Sequence, residues 1–329
     1  EKTWRIVREL QPDAAIFSDV GPDLRWAGNE NGFAAPDAFG SYTPHPHDPG
    51  REPAPGYTVW QEGFEGHADG AFFIPPECDV PLRPGWFYHA EEDEEVRSLS
   101  TLVDLYLNSV GCGGFLNLGI APDRRGRLHD NDVRRLAEFK RAVDALNSPA
   151  LFSRTFSLTS RSEVTIEFGG AKRFNLLELS ENMTEQGEAV RRYAVELRTA
   201  GVWRPLVSGK AIGLRRLKTF SEVAGEALRI ALPDAEPEEV ELTVSIRFVP
   251  AELLRKEPVS APVRKNCRIL EQGKTNGMTT EWRLGKNCGI GGFVFTPFED
   301  VPNGTPDRYR FEVLSDSGWR TVAEGEFSN

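Results

Sequence analysis

The chain has 329 residues, 39% of them hydrophobic and 10% aromatic, with 50 acids against 39 bases for a formal net charge of −11. That length implies two or three domains with packed cores, and the acidic balance excludes a phosphate-backbone binder, which needs lysine and arginine stripes. No apolar run is long enough to span a membrane, and Cys78, Cys112, Cys267 and Cys288 offer neither a disulfide scaffold nor CxxC metal spacing.

Trp4, Ile6, Val7 and Leu10 recur at helical spacing, and Gln11-Pro12-Asp13 stops the helix they predict. The opening residues read as neither a signal peptide nor an initiator methionine, so the chain is expected to be cut at its front. Ala14-Ala15-Ile16-Phe17 predicts a short strand buried on both faces. A turn-rich segment follows from Ser18 to Gly32, carrying Asp19, Asp23, Arg25, Trp26 and Glu30. Helix, apolar strand and polar loop is the rhythm of a parallel α/β fold, in which residues beyond the strands' carboxyl ends face the active site.

A long irregular segment runs from Asn31 to about Gly70, dense in Pro, Gly and His. Trp60, Phe64, Phe72 and Phe73 offer flat faces to the C–H side of a sugar, or alternatively pack a core. His45-Pro46-His47 lacks a placed third ligand, so no metal is expected. No cofactor is expected either, because GxGxxG, P-loop and GxSxG patterns are all missing from the sequence.

Phe72 to Val80 predicts a strand ending in Glu77 and Asp79, followed by a proline-pinned turn that displays Trp86 and His89. The acidic run from Glu91 to Glu95 precedes a helical stripe of Leu99, Leu102, Val103, Leu105, Tyr106 and Val110. Phe115 to Ile120 predicts another strand, and Asp130 to Leu146 another helix. Strand–helix alternation stops near Asn147-Ser148-Pro149, which sets a first domain at 1–148.

Beyond it the apolar period becomes two. Strands are expected at 164–168, 174–179, 190–197, 228–230 and 239–249, giving a β-sandwich over 149–250. A Pro/Lys/Glu linker leads to a second β-rich segment over 251–329, with strands at 292–295 and 309–313 and no closing strand after them.

Glycoside hydrolysis needs two carboxyl groups flanking the scissile bond. Glu30, Asp19, Asp23, Glu77 and Asp79 all fall at expected strand ends, where acids otherwise cap helices or bridge to arginines such as Arg25 and Arg83. The run Ile16 to Glu30 (IFSDVGPDLRWAGNE) resembles the acid/base loop of the α-L-fucosidases of glycoside hydrolase family 29, nearest the α-1,3/1,4-specific branch. Pro76 to Asp79 through Arg83 to His89, Tyr106 to Gly114 (YLNSVGCGG), and Leu116-Asn117-Leu118 through Pro122 to Gly126 resemble the same family in the same order. Residues 174–230 and 282–329 resemble the galactose-binding, discoidin-like β-sandwiches that follow such barrels.

The resemblance implies an α/β domain followed by all-β domains: part of a TIM-like (β/α)8 barrel and C-terminal β-sandwich modules, trimmed at both ends. It makes Glu30 the general acid/base of a retaining exo-α-L-fucosidase and Trp86 a fucose-stacking residue. Arg25, Trp26, Glu77 and Asp79 become sugar contacts or their supports. The nucleophilic aspartate and the histidines that hold fucose are implied upstream of Glu1. The expected partners are fucosylated oligosaccharides or glycoconjugates, with no nucleic acid, in an extracellular or periplasmic setting. The rival readings are a non-catalytic carbohydrate-binding protein and another barrel glycosidase.

Overall fold

The computed structural model describes residues 2–45, 59–159, 162–235, 239–254, 269–276, 279–284, 308–315 and 318–326. His47, Cys267, Cys288 and the strand expected at 292–295 lie outside the described residues. The chain divides into two units, Glu1–Val259 and Ser260–Asn329.

The first unit opens with α1 (Lys2–Leu10), β1 (Phe17–Ser18), β2 (Leu24–Trp26), β3 (Ser41–Tyr42), α2 (Trp60–Glu65), β4 (Phe72–Phe73) and β5 (Pro76–Pro81). It continues with α3 (Leu99–Asn108), β6 (Phe115–Gly119) and α4 (Asp130–Leu146). Strands β1-β2-β5-β6 pair in that order, all in parallel. Prolines at both ends of β5 bracket it without removing a donor from its middle, so it serves as a central strand. Ser98 Oγ accepts from Thr101 N at 3.2 Å to cap α3. That helix lays Leu102 and Leu105 against Val80 and Leu82 beneath the sheet.

Two expectations change here. The strand expected at 14–17 forms instead as β1, at the sheet edge with Phe17 40% exposed, because it has a neighbour on one side only. The supposed loop after it contains a second strand, β2. Only residues 19–23 join these two parallel strands, where such pairs usually need a crossover of about a dozen residues. Asp23 secures the link: its Oδ2 accepts from Ile16 N at 2.6 Å, and Arg8 of α1 bonds to its other oxygen.

After α4 come β7 (Phe152–Thr159), β8 (Glu163–Glu181), β9 (Val190–Thr199), β10 (Val202–Gly209), β11 (Arg216–Ala235) and β12 (Glu239–Arg247). They form one antiparallel sheet in the order β10-β9-β11-β8-β12-β7. The strands expected at 164–168 and 174–179 are two halves of β8, and 228–230 is the end of β11. Ala200 and Gly201, with φ of 50° and 77°, close the β9–β10 hairpin as a two-residue turn with both residues left-handed. Alternate residues gather on one side: Ile166, Phe174, Leu177, Val195, Ile230, Leu242 and Ile246 sit in one buried cluster. Leu176 and Leu217 point the other way, onto Val103, Tyr106, Ala142 and Leu146 of α3 and α4. Helices α3 and α4 therefore pack between the two sheets, with one cluster against each.

In the second unit, β13 (Ile269–Asn276) pairs with β14 (Thr279–Leu284), and β15 (Arg308–Ser315) with β16 (Gly318–Glu326). The strand expected at 309–313 lies within β15, and β16 supplies the partner that the sequence pattern did not reveal. Among the described residues, no helix is long and apolar enough to cross a membrane.

Candidate functional site

The parallel strands alternate their side chains across the sheet, so residues two apart share a face. Glu77 and Asp79 therefore stand together in the middle of β5, not at its end as expected. Trp26 pairs in register with Glu77, and Asn117 with Asp79. Asn117 Nδ2 donates to Glu77 Oε1 at 2.7 Å, and Trp26 Nε1 donates to Asp79 Oδ1 at 2.8 Å. Burial pushes the Glu77 carboxyl above its ordinary range, Asp79 adds to the rise, and the Asn117 bond opposes it.

Gly119, two residues beyond Asn117, continues the same face. A Cβ there would lie 2.6 Å from Trp86 Cζ3, so the indole covers that face at the carboxyl end of β6. Trp86 Nε1 donates to Glu30 Oε2 at 3.0 Å. The result is a polar ladder rising along one face: Glu77 and Asn117, then Asp79 and Trp26, then Trp86 over Gly119, and Glu30 exposed at the top. Ligand chemistry in open α/β sheets sits at this carboxyl end. Trp60 flanks the Glu30 loop, since a Cβ on Gly28 would lie 2.7 Å from its Cδ1; the indole is 54% exposed and stacks on Phe64.

Arg25 does not join this group. It is 0% exposed on the opposite face, donating to Gly63 O at 3.0 Å, to Phe39 O at 2.8 Å and to Ile74 O. Burial lowers its guanidinium to about 10. It stitches three stretches of chain together and has no surface to offer a sugar. Arg83 likewise pairs with neither Glu77 nor Asp79. Its partners are Asp132 and Asp93, each at 3.0 Å, with the guanidinium 4.8 Å from the Tyr88 ring. Burial works against that charge, but the two carboxylates outweigh it and raise its pKa.

The segment following Glu30 is held from the antiparallel sheet. Arg216, 1% exposed on β11, donates to Pro36 O and Ala38 O at 2.8 Å each. Glu188 accepts from Ser41 N and Ser41 Oγ, also at 2.8 Å each. Neither residue carries a local sequence signal, because each partner lies well over a hundred residues away. Asn117 did carry one: it is the polar residue at an alternating position in an otherwise apolar strand.

His45, Glu62 and His67 bring one ligand atom each within 4.8 Å of one another. His67 Nδ1 accepts from Thr43 N at 3.0 Å, which puts the neutral imidazole's proton on Nε2, the nitrogen facing Glu62. That nitrogen has no lone pair for a metal in this arrangement. The trio behaves as an acid–imidazole cluster, with burial holding the His67 pKa below its ordinary value.

No protein-family model matches the chain. Alpha-L-fucosidase 1 of Arabidopsis thaliana is 30% identical over 255 residues, covering 67% of this chain and 49% of the relative. The chain thus spans about half the length of the curated relatives it matches. A crystal structure of a glycoside hydrolase 29 family member from an unknown rumen bacterium matches with a TM-score of 0.68 at 26% identity, over 100% of this chain and 59% of that one. A Ruminococcus gnavus GH29 fucosidase in complex with fucose shares the fold, with a TM-score of 0.60 at 21% identity over 70% of this chain and 52% of that one. These similarities are to alpha-L-fucosidases and to a member of glycoside hydrolase family 29.

Proposed function

We propose that the protein containing this chain is a retaining exo-α-L-fucosidase that removes α-1,3/1,4-linked fucose from glycans, with Glu30 as its general acid/base. The observation that carries the reading is the bond from Trp86 Nε1 to Glu30 Oε2 at 3.0 Å, formed at the carboxyl ends of parallel strands. On this reading the four-stranded sheet is part of a (β/α)8 barrel. The six-stranded sheet is a galactose-binding-like module.

An aspartate, which the family resemblance puts upstream of Glu1, attacks the anomeric carbon while Glu30 protonates the departing oxygen. Glu30 then takes a proton from the incoming water, which releases fucose with its configuration retained. Trp86 holds one carboxylate oxygen of Glu30 and presents its ring, 38% exposed, to the apolar face of the sugar. Trp26, Glu77 and Asp79 line the floor beneath. Arg25 serves this site only as scaffold.

The test is leaving-group dependence in a full-length Glu30→Gln variant. Fucosides whose leaving group needs protonation should lose about 10²–10⁴-fold in kcat/KM, and activated aryl fucosides far less. Full activity of the variant on a poor leaving group would refute the assignment.

A further inference from the structure

The loop that carries Glu30 is shaped by its own side chains. Asn29 Nδ2 donates to Ala27 O and to Phe33 O at 3.1 Å each, and Asn29 Oδ1 accepts from Asn31 N at 3.0 Å. Gly28 takes a φ of 80°, which favours glycine, and it must be small for a second reason. A Cβ there would lie 2.7 Å from Trp60 Cδ1 and 3.1 Å from Trp60 Nε1. Trp60 therefore lies directly against the stem of the loop. Two residues of chain span at most about 7 Å, which bounds the distance from the Gly28 backbone to that of Glu30.

The indole is also held still. One face stacks on Phe64, with centroids 5.6 Å apart and planes 7° from parallel, and Phe33 meets the same phenyl edge-on at 6.4 Å. Phe64 packs in turn on Ala27, Ala34, Ala35 and Cys78. Helix α2, which carries Trp60, is pinned along its length: Glu62 Oε2 pairs with His45 Nε2 at 2.9 Å, and Glu65 O accepts from Phe39 N at 2.7 Å. Yet the indole stays 54% exposed, and Phe33 beside it 39%. Core packing accounts for the face on Phe64 and leaves the face in water without a role.

Resting on the fucosidase reading, we infer that Trp60 is a specificity-determining residue whose open face is the platform for the pyranose that carries the fucose. A general acid hands its proton to the glycosidic oxygen, so that oxygen sits within hydrogen-bond reach of Glu30 and the leaving sugar begins there. Trp86 bonds the Glu30 carboxylate itself and is the ring assigned to fucose; Trp60 meets the loop two residues earlier. The two indoles thus supply one stacking surface for each sugar of the scissile pair. A flat ring suits the apolar C–H face of a neutral pyranose, and a ring already fixed on Phe64 has little order left to lose on binding.

The test is calorimetric titration of the full-length Glu30→Gln protein, which holds substrate without turning it over. The two ligands are methyl α-L-fucoside, which has no leaving sugar, and fucosyl-α-1,3-N-acetyllactosamine. The oligosaccharide should bind about tenfold more tightly than the methyl fucoside. A second substitution, Trp60→Ala, should abolish that advantage, and Trp60→Phe, which keeps a flat face, should restore most of it. If Trp60 only supported the Glu30 loop, its loss would weaken both ligands alike and leave their ratio unmoved. An advantage that survives Trp60→Ala, or that Trp60→Phe fails to restore, overturns the inference while leaving the fucosidase reading intact. Binding of neither fucoside sinks that reading and the inference together.

Discussion

The two sheets of the first unit are built on opposite terms. The parallel sheet has four strands of two to six residues, with apolar rings left in water: Phe17 is 40% and Phe115 43% exposed. It carries the polar ladder that ends at Glu30. The antiparallel sheet has six strands of 8 to 20 residues, and its inner face buries Ile230, Leu242, Val244 and Ile246 completely. Its chemistry is directed sideways, through Arg216 and Glu188, onto the segment that follows Glu30. The larger buried core and the candidate site are thus divided between the sheets, and the sheet with the larger core braces the one that carries the candidate site.

The sharpest way to break that division is to cut into each core. Ile230→Ala should cost about 3–4 kcal/mol in denaturant unfolding, whereas Phe115→Ala, already half in water, should cost under about 1 kcal/mol. Comparable losses would mean the sheets share the stability evenly. Next in size is the brace. Arg216→Ala strands the buried Ala38 carbonyl and frees the partly exposed Pro36 carbonyl to water, which should cost about 1–3 kcal/mol and lower kcat with it. An unchanged kcat in the folded variant would detach the antiparallel sheet from the site.

Gly119→Ala sharpens the other half. A Cβ 2.6 Å from Trp86 must displace the indole and loosen its bond to Glu30. About a tenfold loss of activity should appear on poor leaving groups, with little change in melting temperature. The smallest effect concerns pH. The Asp123 carboxyl falls from an ordinary 3.8 to about 2 on folding, so its contribution is complete above the unfolded value and is lost as pH drops through the folded one. Between pH 4 and 2 the wild type should therefore lose more stability than Asp123→Asn, as read by melting temperature across that range.

Much of this was legible in the sequence, for reasons that mark its limits. Helix α4 was expected over 130–146 and forms there, because its apolar stripe is long and His129 caps it, accepting from Asn131 N at 3.3 Å. Strand β12 came through by its clean alternation. Strand β2 did not, since three residues inside a turn-rich stretch leave no period to count. Gly169-Gly170 made β8 look like two strands, though the pairing with β11 runs across them with a register shift. At the site, Trp86 and Glu30 were named separately, but nothing in either neighbourhood showed that they bond. For Arg25 the resemblance left two roles open, sugar contact or support, and its complete burial against backbone carbonyls favours the second, which only the folded chain could show.

Azide rescue of the full-length Glu30→Ala protein tests the central claim most directly. With the acid/base gone, the fucosyl-enzyme formed from an activated aryl fucoside should wait for a nucleophile that needs no deprotonation. Added azide should then speed turnover and yield fucosyl azide with the α configuration retained. Turnover at the wild-type rate without azide, or a β-configured azide, would contradict the role given to Glu30.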